Sequence, residues 1–235
     1  MEFKERDCEL SIIIPVLNEA DCINQVTENI FNSSNVDFEI IVVDGSDSED
    51  TIRAIKDTNV IKVASKKGRA HQMNRGAAIA KGEVLLFLHA DTHLPKGALE
   101  EIISVLGNDR YVGGAFNLCV RSERIIFKII SRAITLRSRL TKVPYGDQAI
   151  FLRKDLFTRL GGYKEIPLME DLELMHRIRR SGEKIMIISE CVSTSPRRWE
   201  REGIFHCTVR NWTVKALYYC GVSPGRLVGF YKYDE

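Results

Sequence analysis

Chemistry in this chain would have to come from acidic side chains set at the ends of apolar runs. Residues 86–95 read LFLHADTHLP, so Asp91 emerges between His89 and His93 directly after a run of leucine and phenylalanine. A carboxylate supplies an oxygen ligand for Mg2+ or Mn2+, and an imidazole at His93 or His89 would bias the choice toward Mn2+. His89 could equally point into the sheet or bond a ribose, and His93 could cap a turn. A second acidic pair, Glu170-Asp171, opens LMEDLELMHRIRRSG. Such a pair complements a helix N-terminus by its charge alone. Asp44 closes FEIIVVD ahead of GSDSEDT, where it can accept from a base N–H or a ribose hydroxyl while Gly45 lets a ligand approach the backbone. In SPRRWEREG, Arg197 and Arg198 offer forked donors for phosphate, and Trp199 a ring that either stacks on a sugar or packs in the core.

The elements that must position these residues are legible from periodicity. LSIIIPV, FEIIVVD, VIKVA and EVLLFLH are short, continuous, branched apolar runs of the kind that form strands buried on both faces. Helix-period segments lie between them, from Ala20 to Phe31, Glu49 to Asp57 and Gly68 to Ala80. Alternation of this kind predicts a parallel sheet with right-handed crossovers, whose ligands bind off the carboxyl ends of the strands. Asn18, Glu19, Asp44 and Asp91 all fall at such ends. The second half is less regular. YVGGAFNLCV reads as a strand, RSERIIFKIISRAITLRSRL as a basic helix, DQAIFLRKDLFTRLGGY as a strand and short helix, MEDLELMHRIRRSG as a helix stopped by Gly182, and KIMIIS as a further strand before a final helix from about Ile204 to Cys220.

With 235 residues, of which 44% are hydrophobic, the chain can fill one sizeable core, and a net charge of +2 makes no demand for nucleic acid. MEFKERDCEL lacks the basic-then-apolar order of a signal peptide, and no apolar run approaches the ~18 residues that span a bilayer. A cytoplasmic protein is expected, peripheral to the inner face of a membrane at most. The six cysteines, Cys8, Cys22, Cys119, Cys191, Cys207 and Cys220, form no C-x-x-C pair and read as buried free thiols. Arg124, Lys128 and Arg132 make an i, i+4 row, with Ile126, Ile129, Ile130 and Ala133 on another face. The basic helix 124–140 could therefore rest on an anionic membrane or pack its apolar face on the sheet with the basic side in water.

No G-x-G-x-x-G follows the first strand and no G-x-x-x-x-G-K-[ST] occurs, which disfavours dinucleotide dehydrogenases and P-loop enzymes. SIIIPVLNEA, EIIVVDGSDSEDT, KGRAHQMNRGAAIAKGEVLLFLHADTHLP, GDQAIFLRKDLFTRLGGY and EDLELMHRIRRSG instead occur in an order and spacing that resembles family 2 glycosyltransferases over nearly the whole chain. The resemblance implies an α/β fold of GT-A type: a Rossmann-like, mostly parallel sheet flanked by helices, with an acceptor-side α+β half. No internal repeat, low-complexity tract or obvious linker breaks the chain, so a single domain is expected, and the resemblance divides it into a nucleotide-sugar half at about 1–95 and an acceptor half at about 96–235. Pro15, Asn18, Glu19, Asp44 and Gly45 would line the nucleoside pocket, and Lys67, Gly68, Arg69, Asn74 and Ala90 the base and phosphates. Arg69 in the first turn of a Gly-started helix suits a pyrophosphate, although a solvated helix charge explains it too.

The family's metal motif, D-x-D, here reads His89-Ala90-Asp91. Asp91 is then the metal ligand, with His93 a candidate beside it and Mn2+ or Mg2+ as cofactor. Asp171 maps to the catalytic base, and Gly146, Asp147, Glu170, Arg198 and Trp199 to the acceptor or phosphate side. The implied reaction is inverting, metal-dependent transfer of a sugar from a nucleoside diphosphate, uridine being the usual nucleoside, to an acceptor hydroxyl. Ser195 stands where processive members carry glutamine, which disfavours polymerisation. Two other readings remain open: a non-catalytic nucleotide or sugar-phosphate binding protein with a degenerate D-x-D, and a sugar nucleotidyltransferase, although PVLNEAD lacks that class's Gly-rich basic loop.

Overall fold

The computed structural model describes residues 9–230. Its first half runs β1 (Leu10–Val16), α1 (Ile23–Phe31), β2 (Phe38–Asp44), α2 (Asp50–Ala54), β3 (Val60–Ala64), α3 (Arg69–Ile79), β4 (Val84–Phe87) and β5 (Thr92–His93). The second half follows with α4 (Ala98–Leu106), β6 (Gly113–Val120), α5 (Ile125–Thr141), β7 (Ile150–Arg153), α6 (Lys154–Arg159), α7 (Glu170–Arg180), β8 (Ile185–Thr194), α8 (Arg197–Glu202), α9 (Ile204–Tyr219) and α10 (Pro224–Leu227). The strands form one eight-stranded sheet in the order β3-β2-β1-β4-β7-β6-β8-β5. β1, β2, β3 and β4 are mutually parallel, β7 joins β4 and β6 antiparallel, and β5 adds antiparallel to β8. The expected mostly parallel sheet is present, and its antiparallel members are β7, in the second half, and the two-residue β5, which closes the first half.

Burial explains the order. Leu10, Ile12, Ile14 and Val16 pack on one side of the sheet with residues of α1 and α4. Ile13 faces the other side, among residues of α3, α6 and α7. A strand covered on both faces needs no polar alternation, which is why these runs read as continuous. Gln72 of α3 reaches into the sheet, and its Nε2 donates to Val16 O at 2.6 Å and Val43 O at 2.8 Å. The carboxyl ends of β1 and β2 are thereby fixed to one another at the place where the cleft opens.

Several elements are shorter than periodicity suggests. The first helix begins at Ile23 rather than Ala20 and the second ends at Ala54 rather than Asp57, while α8 was not expected as a helix at all. Helix α5 corrects a larger expectation. Its packed face consists of Phe127, Ser131 and Ser138 with Ile134 partly buried, not the Ile126, Ile129, Ile130, Ala133 face. Ser131 Oγ accepts the Val120 N–H at 3.1 Å and Thr135 Oγ1 the Leu118 N–H at 3.3 Å, so β6 is met by hydroxyls. The thiols also differ from expectation: Cys207 is buried, Cys220 is exposed, and Cys22, Cys119 and Cys191 lie between, while Cys8 falls outside the described residues. No helix among the described residues is long and apolar enough to cross a membrane.

Candidate active site

The loop after β4 delivers His89, Ala90 and Asp91 to the carboxyl edge of the sheet. Asp91 is held by what surrounds it: Thr92 Oγ1 is 3.4 Å and Thr194 Oγ1 3.5 Å from Oδ1, and Arg197 Nε is 4.0 Å from Oδ2. Arg121 Nη2 donates to the Asp91 carbonyl at 3.1 Å. Arg197 also pairs with Glu19, which brings the β1 loop against α8. His89 is pushed down to about 4, by burial first and then by the charges of Arg69 and Arg198, against the pull of Asp91. It is a neutral imidazole at physiological pH. His93 sits in the edge strand opposite Ser193, its basicity lowered by burial and by Arg121.

The second carboxylate cluster comes from α7 and faces this loop. Asp171 Oδ2 accepts the Gly146 N–H at 2.8 Å and Oδ1 the Leu172 N–H at 2.7 Å. A Cβ on Gly146 would stand 3.0 Å from His89 Nε2 and 3.7 Å from Asp171 Oδ2. Gly146 is thus where the β4 loop and the start of α7 meet. Glu170 is buried, and desolvation followed by the neighbouring Asp171 raises its carboxyl to about 7, with Arg69 acting in the opposite direction. Asp147 is raised to about 6, again chiefly by burial, and its Oδ1 has no hydrogen-bond partner among the described residues. Left-handed residues other than glycine mark three turns here: Asn18 at φ 56°, Ala149 at φ 50° and Met169 at φ 68°. Backbone held in this region costs energy that the surrounding fold supplies, and it is concentrated at functional sites.

Arg69, Glu19, Asp91, Gly146, Asp147, Glu170, Asp171 and Arg198 are brought together at this edge. Pro15 is buried within β1, Asn18 is exposed on the loop after it, Lys67 is exposed, and Gly68 starts α3 at φ +129°, a conformation that needs glycine. Other expected residues are occupied elsewhere. Asn74 Nδ2 donates to Tyr163 O at 2.8 Å while its Oδ1 accepts the Tyr163 N–H at 2.8 Å, so its amide fastens α3 to the turn before α7. A Cβ on Gly45 would lie 2.9 Å from the Gln72 amide, so that glycine makes room for Gln72. Asp44 is fully buried and accepts from Ser46 N–H at 2.8 Å and Ser46 Oγ at 2.7 Å, folding its own loop. Ala90 is buried, and its carbonyl faces Cys22 Sγ at 3.4 Å. Trp199 meets Phe127 edge-on at 5.9 Å, which is packing against α5.

Sequence reasoning missed Arg121, Arg137 and Lys215. The Arg137 guanidinium lies 3.1 Å and the Lys215 ammonium 3.8 Å from the Tyr145 ring centre, two cations beside Asp147 and Asp171. Burial and the Arg137 charge lower Lys215 to about 8. The one available signal was a lysine within the otherwise apolar and aromatic WTVKALYY.

A strand-end aspartate among arginines, faced by carboxylates on a helix N-terminus, on a sheet of this order, defines a GT-A type glycosyltransferase domain. The sequence profile described as "Glycosyl transferase family 2" matches residues 11–161. The chain belongs to that family. Among similar curated proteins, a PGL/p-HBAD biosynthesis glycosyltransferase of Mycobacterium bovis is 30% identical over 178 residues, which is 65% of this chain and 62% of that protein. The probable glycosyltransferase YdaM of Bacillus subtilis is 25% identical over 220 residues, 83% of this chain and 51% of that protein. The chain therefore spans part of the length of these relatives. Among solved structures, the mannosyltransferase PcManGT from Pyrobaculum calidifontis, in complex with GDP-Man and Mn2+, superposes with a TM-score of 0.63 at 20% identity, covering 79% of this chain and 56% of that one. S. aureus TarS 1-349 in complex with UDP-GlcNAc gives 0.63 at 16% identity, covering 80% of this chain and 58% of that one. At these identities the likeness bears on the fold.

Proposed function

We propose that the protein transfers a sugar from a nucleoside diphosphate sugar to an acceptor hydroxyl, with inversion. The observation that carries this reading is the meeting of Asp91 and Asp171 across His89 and Gly146, with Arg69, Arg197 and Arg198 around them. The diphosphate is taken by these guanidiniums, whose planar forks match phosphate oxygens. The nucleoside lies over the Asn18 and Glu19 loop beside the loop that Asp44 organises, with uridine the expected base. On the acceptor side, Asp171 removes the proton of the attacking hydroxyl. Its two backbone hydrogen bonds orient the carboxylate, leaving acceptor capacity for that proton. Neutral His89 adds no positive charge between the two carboxylates, so it can bond donor or acceptor hydroxyls. With Glu170 raised toward neutrality, the pair does not carry two full charges at pH 7.

Among the described residues no three His, Cys, Asp or Glu side chains converge on one point. The donor set therefore fits Mg2+ or Mn2+ only as an ion held through Asp91 with the remaining ligands from diphosphate and water, a mode that such ions accept. When bound, the ion would neutralise charge on the leaving diphosphate. The mannosyltransferase of like fold, solved in complex with GDP-Man and Mn2+, supports that class of cofactor.

The test is a thermal-shift series with uridine and guanosine diphosphates, with and without Mn2+ or Mg2+. A ligand at a hundredfold excess over Kd stabilises by about 2.7 kcal/mol, a readily measured rise in Tm. At least one nucleoside diphosphate should shift the wild type, and Asp91→Asn should abolish the additional shift given by the metal. If none shifts it, the donor site is wrong; if Asp91→Asn keeps the metal increment, the metal is held elsewhere.

A further inference from the structure

Helices α5 and α9 each leave an apolar face in solvent. On α5 the sheet-facing side carries Ser131, Thr135 and Ser138 alongside Phe127, whereas the opposite side is a solvent-facing stripe of Ile125, Ile129, Leu136 and Leu140. The exposure is large at both ends, 74% at Ile125 and 75% at Leu140. On α9, Cys207 and Val214 point inward, and the outward stripe is Phe205, Val209, Trp212 and Tyr219, with Phe205 82% and Trp212 70% exposed. Each stripe follows the three-and-four spacing of one helix face.

The two stripes share one surface. Arg137 near the end of α5 and Lys215 near the end of α9 flank the same Tyr145 ring, and Phe127 near the start of α5 touches Trp199 just ahead of α9. The starts of the two helices and their ends therefore lie near one another, bridged by Trp199 and by Tyr145. With their inward residues both on the protein body, both apolar stripes face away from it. The exposed charge beside the stripes is mostly basic. Arg124, Lys128, Arg132, Arg139 and Lys142 are exposed on or next to α5 and Arg226 beyond α9, with Glu123 as an acidic neighbour 3.7 Å from Lys128, whereas Arg210 pairs with Glu202 and Arg137 and Lys215 are drawn in against Tyr145. On the helix wheel Lys128, Arg132 and Arg139 border the apolar stripe of α5.

We propose that this α5 and α9 face is a membrane-docking surface that seats on an anionic lipid bilayer. Apolar residues enter the headgroup boundary, the cations meet lipid phosphates and carboxylates, and Trp212 and Tyr219 suit the wet edge of the hydrocarbon. A second copy of the chain fits less well, because a two-fold interface sets each patch against itself and this one would oppose cations to cations. The surface adjoins the site, since α8 carries both Trp199, on α5, and Arg197, near Asp91. An acceptor presented at a membrane would thus meet Asp171 without leaving the surface.

The experiment is co-sedimentation of the full chain with vesicles of phosphatidylcholine alone or with a third phosphatidylglycerol. Binding should need the anionic lipid and weaken at least tenfold between 0.05 and 0.5 M salt, a range over which screening becomes nearly complete, as roughly expected from the Debye length. The double variant Leu136→Ser with Trp212→Ser, and separately Lys128→Gln with Arg132→Gln, should each lose about tenfold or more in partitioning. All four sites lie on the surface, and unchanged thermal unfolding without vesicles would establish that the variants fold. No binding to anionic vesicles, or binding indifferent to both variants, overturns the proposal. So does a wild-type dimer in sedimentation equilibrium that the Leu136 and Trp212 variant dissociates. The nucleotide thermal shift reads the donor site separately, so either result can fail alone.

Discussion

Glu170 gives the most direct test of the electrostatics at the start of α7. Moving its carboxyl from an ordinary 4.5 to about 7 makes the ionised form costly in the folded protein. At about 1.4 kcal/mol per pH unit, the cost is about 3 kcal/mol once the group is fully ionised. The sign follows from proton counting. Between 4.5 and about 7 the folded state holds the proton and the unfolded state has lost it, so stability falls as pH rises across that window. Below the window both states are protonated and nothing is lost; above it the full cost applies. Glu170→Gln keeps the shape and removes the charge. Its unfolding free energy in urea should match the wild type at the acid end and exceed it by about 3 kcal/mol well above neutrality, the gap opening progressively through the window. A variant that is equally or less stable at pH 8 would refute the reasoning. In that case the folded protein would hold Glu170 as a carboxylate, with Arg69 outweighing both burial and Asp171.

Two further outcomes follow from the same geometry. Asp171→Asn retains an oxygen for the Gly146 N–H but cannot take a proton, so turnover should fall by about 10²–10⁴ while the nucleotide thermal shift stays the same; undiminished turnover would remove Asp171 as the base. Asn74→Ala strips partners from both the N–H and the carbonyl of Tyr163, and it should lower unfolding free energy by about 2–6 kcal/mol, given about 1–3 kcal/mol for each polar group left unpaired. Denaturant titration decides that case, and a loss under about 0.5 kcal/mol would mean that the turn is held by other contacts, since surface changes fall in that range.

The parallel half of the fold was legible because burial on both faces writes itself into a strand as an unbroken apolar run. LSIIIPV and FEIIVVD became β1 and β2 over the expected residues. The strand-end rule then put Glu19 and Asp91 at the cleft, and helix-start signals put Glu170 and Asp171 at an N-terminus. What a residue does with its side chain was another matter. Gly45 and Asn74 carry the right types for a ligand, yet Gln72 and Tyr163, distant in sequence for Asn74, take up their space and their hydrogen bonds. The convergence of Asp91 with Asp171 required β7 to pair antiparallel to β4 and bring Gly146 beside His89. Helix α5 shows the limit most clearly. Its periodicity announced an apolar face, but which face turns inward was decided by β6, whose Leu118 and Val120 N–H groups are met by the hydroxyls of Thr135 and Ser131. Hydrophobic pattern is local and survives in the one-dimensional chain; hydrogen-bond partners from another element do not, and here they set the orientation of the helix.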